Sequence, residues 1–286
     1  MMPVLRDWAL FNRLRQQLIQ LLLDRKVESL IEITRVFPAF APCSAGDYAQ
    51  LAKLTISSIN KSFPILAELA AENSARLPRR VPLAQFPEGS KEKDAAQKLS
   101  GLFDRYGSDK GAELGYSSLY GPLLLRAQAV RSILEIGMGT THTDTISHMS
   151  SDKKTGASLR AFRDFCPKAE IFGADIDRRI LFQETRIQTF FVDQTNPETF
   201  GQLAAQIPKS IDLIIDDGLH SPEANLQTLR FALPRLAPGG WTVIEDIGGA
   251  AAPIWSLVAA LLPSSVWEVS LLESPRSLLF AVQRKP

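Results

Sequence analysis

The residue types best suited to chemistry in this chain come in two tight groups, Asp216-Asp217-Gly218-Leu219-His220 and Glu245-Asp246. Each comes directly after a short apolar run, Ile211 to Ile215 and Trp241 to Ile244, of the kind that forms a buried strand. If those strands are parallel neighbours, their ends bring four carboxylates and an imidazole into one pocket. Like charges so close repel strongly, and a bound cation is the usual way to offset them. Oxygen donors suit a hard ion such as magnesium, calcium or manganese, and no Cys or His spacing supports zinc. His220, with an ordinary pKa of about 6.5, is suited to act as general base beside a metal-bound hydroxyl. Any one of these acids alone could instead cap a helix or pair with an arginine, so it is the set that points to a metal.

Three further apolar runs end in residues of interest. Arg131 to Ile136 runs into Glu135-Ile136-Gly137-Met138-Gly139, where the glycines let backbone approach a nucleotide-like ligand, although His142 stands where a dinucleotide fingerprint has its third glycine. Glu170 to Ala174 ends at Asp175, placed to accept hydrogen bonds from ribose hydroxyls. Asp175 lies 36 residues beyond Gly139, against the ~20 of a dinucleotide site. The excess is a polar stretch, Thr140 to Lys154, read as a loop able to cover the site. His142 and His148 fall in that loop, where solvated histidines are the expectation. Ile187 to Val192 ends in Asp193-Gln194, suited to the amine and ring nitrogens of adenine, with a helix cap as the plainer role for Asp193.

Short apolar runs alternating with helical ones predict an α/β fold with a mostly parallel sheet. Helices are expected at Gly156 to Phe165, Asp177 to Glu184, Pro197 to Gln206, Pro222 to Leu236 and Pro253 to Leu262. Val266 to Leu272 and Ser277 to Val282 are joined too closely for a parallel crossover and should form an antiparallel hairpin at the sheet edge. Before residue 85 the pattern differs: helical periodicity marks Val4 to Arg25, Val27 to Val36, Gly46 to Ser58 and Pro64 to Leu77. The proline-rich run Leu77 to Ser90 reads as a linker, dividing a helical region 1–88, expected to serve auxiliary or oligomeric packing, from a domain 89–286.

The 286 residues, 45% hydrophobic and 22% charged, exclude disorder and a mostly coiled-coil chain. Lys+Arg 32 against Asp+Glu 31 leaves a net charge of +1, so no global field recommends nucleic acid or an anionic membrane as partner. Two distant cysteines, Cys43 and Cys166, make no disulfide framework, and no signal peptide or apolar membrane span is evident, which together favour the cytoplasm.

Taken together, YGSDKG (106–111), LEIGMG, GASLRAF from Gly156, GADID, FVDQTN, LIIDDGLH and LAPGGWTVIEDI resemble the metal-dependent class I methyltransferases typified by macrolide sugar O-methyltransferases, over Leu102 to Ile247. The resemblance implies a Rossmann-like, seven-stranded methyltransferase sheet, mostly parallel with an antiparallel last edge strand, and S-adenosylmethionine and magnesium as cofactors. It implies that Glu135, Gly137 and Gly139 hold the methionine part of the cofactor, Asp175 the ribose, and Asp193 with Gln194 the adenine. Asp216 is grouped with these cofactor-side residues. Asp217, Glu245 and Asp246 would hold the metal, and His220 would take the acceptor's proton. The expected acceptor is a small hydroxylated metabolite, natural product or sugar-like, and the expected assembly a homodimer or homotetramer. Two departures stand out: Leu114 and Gly115 replace a histidine that family members often carry before the tyrosine matching Tyr116, and the loop TTHTDTISHMSSDKKT is unusual. A nicotinamide-dependent oxidoreductase and a non-catalytic cofactor-binding assembly module are the alternatives.

Overall fold

The computed structural model describes residues 62–72, 78, 80–126 and 130–286. The chain divides into two compact units, Met1–Leu69 and Ala70–Pro286. Of the first, residues 62–69 are described and are helical, the helix continuing to residue 72. The helices expected at Val4 to Arg25, Val27 to Val36 and Gly46 to Ser58, and Cys43, lie outside the described residues.

The second unit is built on one nine-stranded sheet. Its strands are β1 (Arg80–Pro82), β2 (Ser132–Ile136), β3 (Glu170–Asp175), β4 (Gln183–Glu184), β5 (Ile187–Phe191), β6 (Ile211–Asp216), β7 (Leu236–Ile247), β8 (Trp267–Glu273) and β9 (Leu278–Arg284). They lie in the order β1-β8-β9-β7-β6-β2-β3-β5-β4. The central strands β2, β3 and β6 are buried almost throughout, as near-continuous apolar runs must be when helices cover both faces of a parallel sheet. β9 is antiparallel to both β7 and β8, as the short connection requires, and lies between them. Residues 80–82, within the expected linker, pair in parallel with β8, so this stretch belongs to the sheet.

The helices are α1 (Gly89–Tyr106), α2 (Ser117–Arg126), α3 (Ala157–Phe165), α4 (Pro197–Ala204), α5 (Pro222–Ala232) and α6 (Ala252–Leu261). Asn196 and Ser221 cap α4 and α5 with side-chain hydrogen bonds, and a proline comes after each cap. Phe162 of α3 receives Phe103 of α1 and Tyr120 of α2 edge-on, with ring centroids 5.2 and 5.4 Å away. Such pairs are worth about 0.5–1.5 kcal/mol each beyond their buried area, and here they pin the turn between α1 and α2 beside the strand ends.

The helix expected at Asp177 to Glu184 does not form. Asp177 caps a single 3-10 turn at Arg178–Ile180, and the chain then reverses through Arg186 (φ 60°) so that β4 pairs antiparallel with β5. The acidic cap satisfies one turn of amides, and Thr189 competes for the next: its hydroxyl accepts from the Phe182 amide and donates to the Phe182 carbonyl. The expected helix 222–236 also ends earlier, giving way to a 3-10 turn at Leu233–Arg235 and to β7 from Leu236.

Candidate active site

The carboxyl ends of β2, β3, β5, β6 and β7 and the segments directly after them carry the candidate residues, and two adjoining cavities open there. The larger, about 450 Å³, is lined by Gly137 and Gly139 after β2, Asp175 ending β3, Asp193 and Gln194 after β5, and Asp217 to Leu219 after β6. Ile136, Ile176, Val192 and Leu219 supply apolar wall. The smaller, about 200 Å³, shares Gly137, Gly139 and Asp217 with it and adds Lys110, His220 and Asp246.

The glycine turn is built for close approach. Gly137 has φ 89° and Gly139 φ 77°, and the Gly137 amide bonds the Ala174 carbonyl at 2.8 Å. Asp175 accepts from the Met138 amide at 2.8 Å and the Asp177 amide at 2.9 Å, tying the β2 and β3 turns together. Burial raises the Asp175 carboxyl, and these backbone donors pull it back. The loop 140–154 forms part of the cavity wall through Asp144 to Ser147. Arg179 holds it with two hydrogen bonds to Asp144, at 3.0 and 2.8 Å, and Ser147 Oγ donates to the Gly218 carbonyl at 2.8 Å. His142 belongs to this anchorage, its Nδ1 2.7 Å from Asp177, and His148 bonds locally to the Thr145 carbonyl.

The residues assigned to the adenine end divide into two kinds. Asp193 faces the larger cavity, its carboxylate accepting from the Thr195 amide and hydroxyl, while Asn196 takes the helix cap. Gln194 spends its side-chain amide inside the protein, donating to Asp216 and Thr228 at 2.8 Å and accepting from the Leu219 amide. Asp216 is fully buried behind the cavity wall and accepts from Gln194, Asn225 and the Gly218 amide. The geometry makes Asp216 and Gln194 a brace for the 217–219 turn.

The acid cluster divides into an outer and an inner part. Asp217, His220 and Asp246 each present a donor atom within 4.8 Å of the others. Their backbones bend to do so: His220 has φ 56°, Asp246 has φ 51°, and the β7–β9 register slips between Ile244 and Ile247. Such a bulge re-aims successive side chains. Asp246 turns toward Asp217, and Glu245 points into the protein, fully buried. There Glu245 accepts from Lys110 on one oxygen and from the Tyr120 hydroxyl on the other, so it stands apart from the three-residue group. Glu135 meets the same lysine at 3.4 Å and accepts from Ser158. Lys110 also donates to Asp217 at 2.5 Å. Tyr116 and Ser277 donate to Asp246.

Burial pushes the Glu135 carboxyl up to about 7 and Glu245 well above its ordinary range, with Lys110 opposing both shifts. Enclosure raises Asp217 as well, against the pull of Lys110 and then His220. Burial works against the Lys110 charge, but the fields of Asp217, Glu245, Glu135 and Asp109 outweigh it and hold the ammonium well above its usual value.

Lys110, Tyr116 and Tyr120 are the functional neighbours that strand-end reasoning misses. Their trace in the sequence is the YGSDKG segment that carries part of the family resemblance, followed by two tyrosines, and it assigns them no role. A divalent ion fits the outer group: the Asp217 and Asp246 carboxylates converge there, and beside them stands the His220 imidazole, whose buried Nδ1 has no hydrogen-bond partner.

Residues 125–247 match the family described as "Methyltransferase domain". The chain is 32% identical over 151 residues to the 8-demethyl-8-alpha-L-rhamnosyl tetracenomycin-C 2'-O-methyltransferase of Streptomyces olivaceus, covering 52% of this chain and 37% of that protein. It is 34% identical over 161 residues to the mycinamicin VI 2''-O-methyltransferase of Micromonospora griseorubida, covering 56% and 37%. The chain thus spans little more than a third of the length of these relatives. Among solved structures, the MycE methyltransferase from the mycinamycin biosynthetic pathway, in complex with Mg, SAH and mycinamycin VI, aligns with a TM-score of 0.52 at 25% identity, covering 66% of this chain and 53% of that one. The sheet is accordingly the seven-stranded methyltransferase sheet, here with the short strands β1 and β4 added at its two edges.

Proposed function

We infer that this chain, which carries a methyltransferase domain, is an S-adenosylmethionine-dependent, magnesium-assisted O-methyltransferase acting on a hydroxyl of a small natural product or sugar-like acceptor. The observation that carries the reading is the junction of the two cavities: a glycine-floored cleft ending in Asp175 and Asp193 opens beside Asp217, Asp246 and His220. In this reading Gly137 and Gly139 admit the cofactor's methionine portion, with Glu135 beneath them held between Lys110 and Ser158. Asp175 accepts from the ribose, and Asp193 faces the adenine, while Gln194 and Asp216 support the floor. The same cleft would suit a nicotinamide dinucleotide, but the acid group and the family match favour the sulfonium donor.

Asp217 and Asp246 would hold the magnesium; Glu245, assigned to that set from sequence, serves as anchor for Lys110 instead. The bound ion supplies Lewis acidity to the acceptor oxygen. His220 would accept the hydroxyl proton, and the bound S-adenosylmethionine would supply a methyl carried on a sulfonium, whose sulfur would keep the electron pair as the acceptor oxygen takes the methyl. Because the methyl is already activated, orientation by the cleft is the protein's main contribution. The pinned loop 140–154 forms part of the cleft wall. The near-neutral charge supports an enzyme without nucleic-acid partners, and we assign it to the cytoplasm; among the described residues no helix is long and apolar enough to cross a membrane. We assign the helical region that precedes β1 to assembly of a dimer or tetramer.

Calorimetry tests the reading. S-adenosylhomocysteine should bind and NADH should not, and Asp175→Ala should weaken that binding by roughly 10- to 100-fold, the worth of a charged hydrogen bond. NADH binding in the absence of S-adenosylhomocysteine binding sinks the proposal.

A further inference from the structure

We propose that Lys110 is a resident cation that takes up the inner half of the acid cluster and leaves an exogenous divalent ion only Asp217 and Asp246. The inference rests on the metal reading above and makes Lys110 a positioning residue for it. An ammonium has three N–H donors, and the Lys110 group is met by three carboxylates on three different strands or strand ends: Glu135 on β2, Asp217 after β6 and Glu245 on β7. The lysine side chain is 2% exposed and those of Glu135 and Glu245 are 0% exposed, so no solvent ion shares the work.

The remaining oxygens sort by partner. Tyr120 occupies the second oxygen of Glu245, and Ser158 the Oε2 of Glu135. Ligation by Glu245 would compete with Lys110 and Tyr120, which engage its two oxygens, and Glu135 Oε1, which has no hydrogen bond and faces the Lys110 charge at 3.4 Å, would lose that partner if the lysine left. Asp217 is shared: Oδ2 is held by Lys110, while Oδ1 looks the other way, 3.8 Å from His220 Nε2. The lysine therefore fixes which carboxylate oxygen faces the outer group, and it neutralises the acids that would otherwise recruit a second ion.

The test uses Mn2+ as probe, counted by the loss of the free-ion electron paramagnetic resonance signal on the full chain. The wild type should bind one ion. Lys110→Met and Lys110→Gln should bind Mn2+ roughly tenfold more tightly or bind a second ion, since removing a unit charge a few ångströms from the ligands is worth at least that much at an effective dielectric near 20. Their thermal midpoints should rise further on adding Mn2+ than the wild type's does, a readout that survives if either variant is unstable without metal. Adding Glu245→Gln to Lys110→Met should remove the gain, and Glu245→Gln alone should leave one ion bound. Wild-type binding with equal or weaker binding in both lysine variants overturns the inference, as does loss of the wild-type ion on Glu245→Gln alone. Absence of Mn2+ binding in every one of these proteins removes the metal reading itself, and this inference with it.

Discussion

Alanine at Gly137 and at Gly139 is the same chemical change at two glycines of like backbone, yet the two should differ sharply in cost. Both residues have positive φ, 89° and 77°, so each alanine incurs about 1–2 kcal/mol for a left-handed L-residue. Beyond that the surroundings decide. A Cβ on Gly137 would sit 2.1 Å from the Asp217 carbonyl oxygen, 2.4 Å from its carbon and 2.7 Å from Gly218 Cα, all backbone. That backbone cannot yield freely, because the Asp217 amide bonds the Ile136 carbonyl at 2.8 Å and the Gly218 amide bonds the buried Asp216. A Cβ on Gly139 would meet the sulfur of Met149 at 2.6 Å, the far end of a flexible side chain. Overpacking against a fixed neighbour adds about 1–3 kcal/mol, so Gly137→Ala should cost roughly 2–5 kcal/mol and Gly139→Ala roughly 1–2. Equilibrium urea unfolding followed by tryptophan fluorescence measures both. Equal losses, or a larger loss at Gly139, would show that the 217–218 turn is not the rigid wall described. The same displacement of Asp217 should weaken Mn2+ binding in Gly137→Ala.

Two further expectations concern groups other than Asp217 and Asp246. Asp177 is held well below the ordinary carboxylate range, by Arg179 first and by Thr140 and His142 as well. Its contribution to stability is therefore complete above about pH 4 and is lost as pH falls toward its folded value. Asp177→Asn should flatten the acid limb of the pH–stability curve below that point, and an unchanged limb in denaturant titrations would refute the assignment. Tyr120→Phe strips one oxygen of the buried Glu245 of its donor and should destabilise by about 1–3 kcal/mol; a neutral outcome in urea unfolding would mean that the hydroxyl carries no such bond.

The strand ends were legible because a buried parallel strand is a short apolar word, and the residues directly after that word necessarily lie at the sheet's carboxyl edge. The positions of Asp175, Asp193 and the 216–220 group come from that rule alone. The partners of the acids do not, since Lys110 reaches Asp217 across 107 residues and Glu245 across 135, and no local pattern encodes such a meeting. The difference between Glu245 and Asp246 is hidden for another reason: it turns on one residue of positive φ and a register slip in β7, which apolar periodicity does not report. At Asp177 to Glu184 the apolar spacing fits a helix, but the acidic cap and Thr189 divert the backbone amides, a competition between polar groups that a count of apolar positions ignores. Asp216 and Gln194 are polar residues at strand ends like the others, and what makes them a brace is the set of partners they meet, Thr228, Asn225 and the Leu219 amide, which no local pattern encodes.

The place of β9 between β7 and β8 governs the order in which the sheet can be completed. β7 has its outer neighbour only after residues 278–284 have returned to it, and β8, although earlier in the chain, joins the sheet through β9 alone on that side. β1, far earlier in the chain than its partner Leu271, waits on both. Until the hairpin inserts, β7 presents an open row of amides and carbonyls beside the bulge that aims Asp246, an edge able to pair with another chain. A chain that lacked the hairpin would therefore leave Asp246 without the β7–β9 register that aims it, and would carry an unfinished edge open to association.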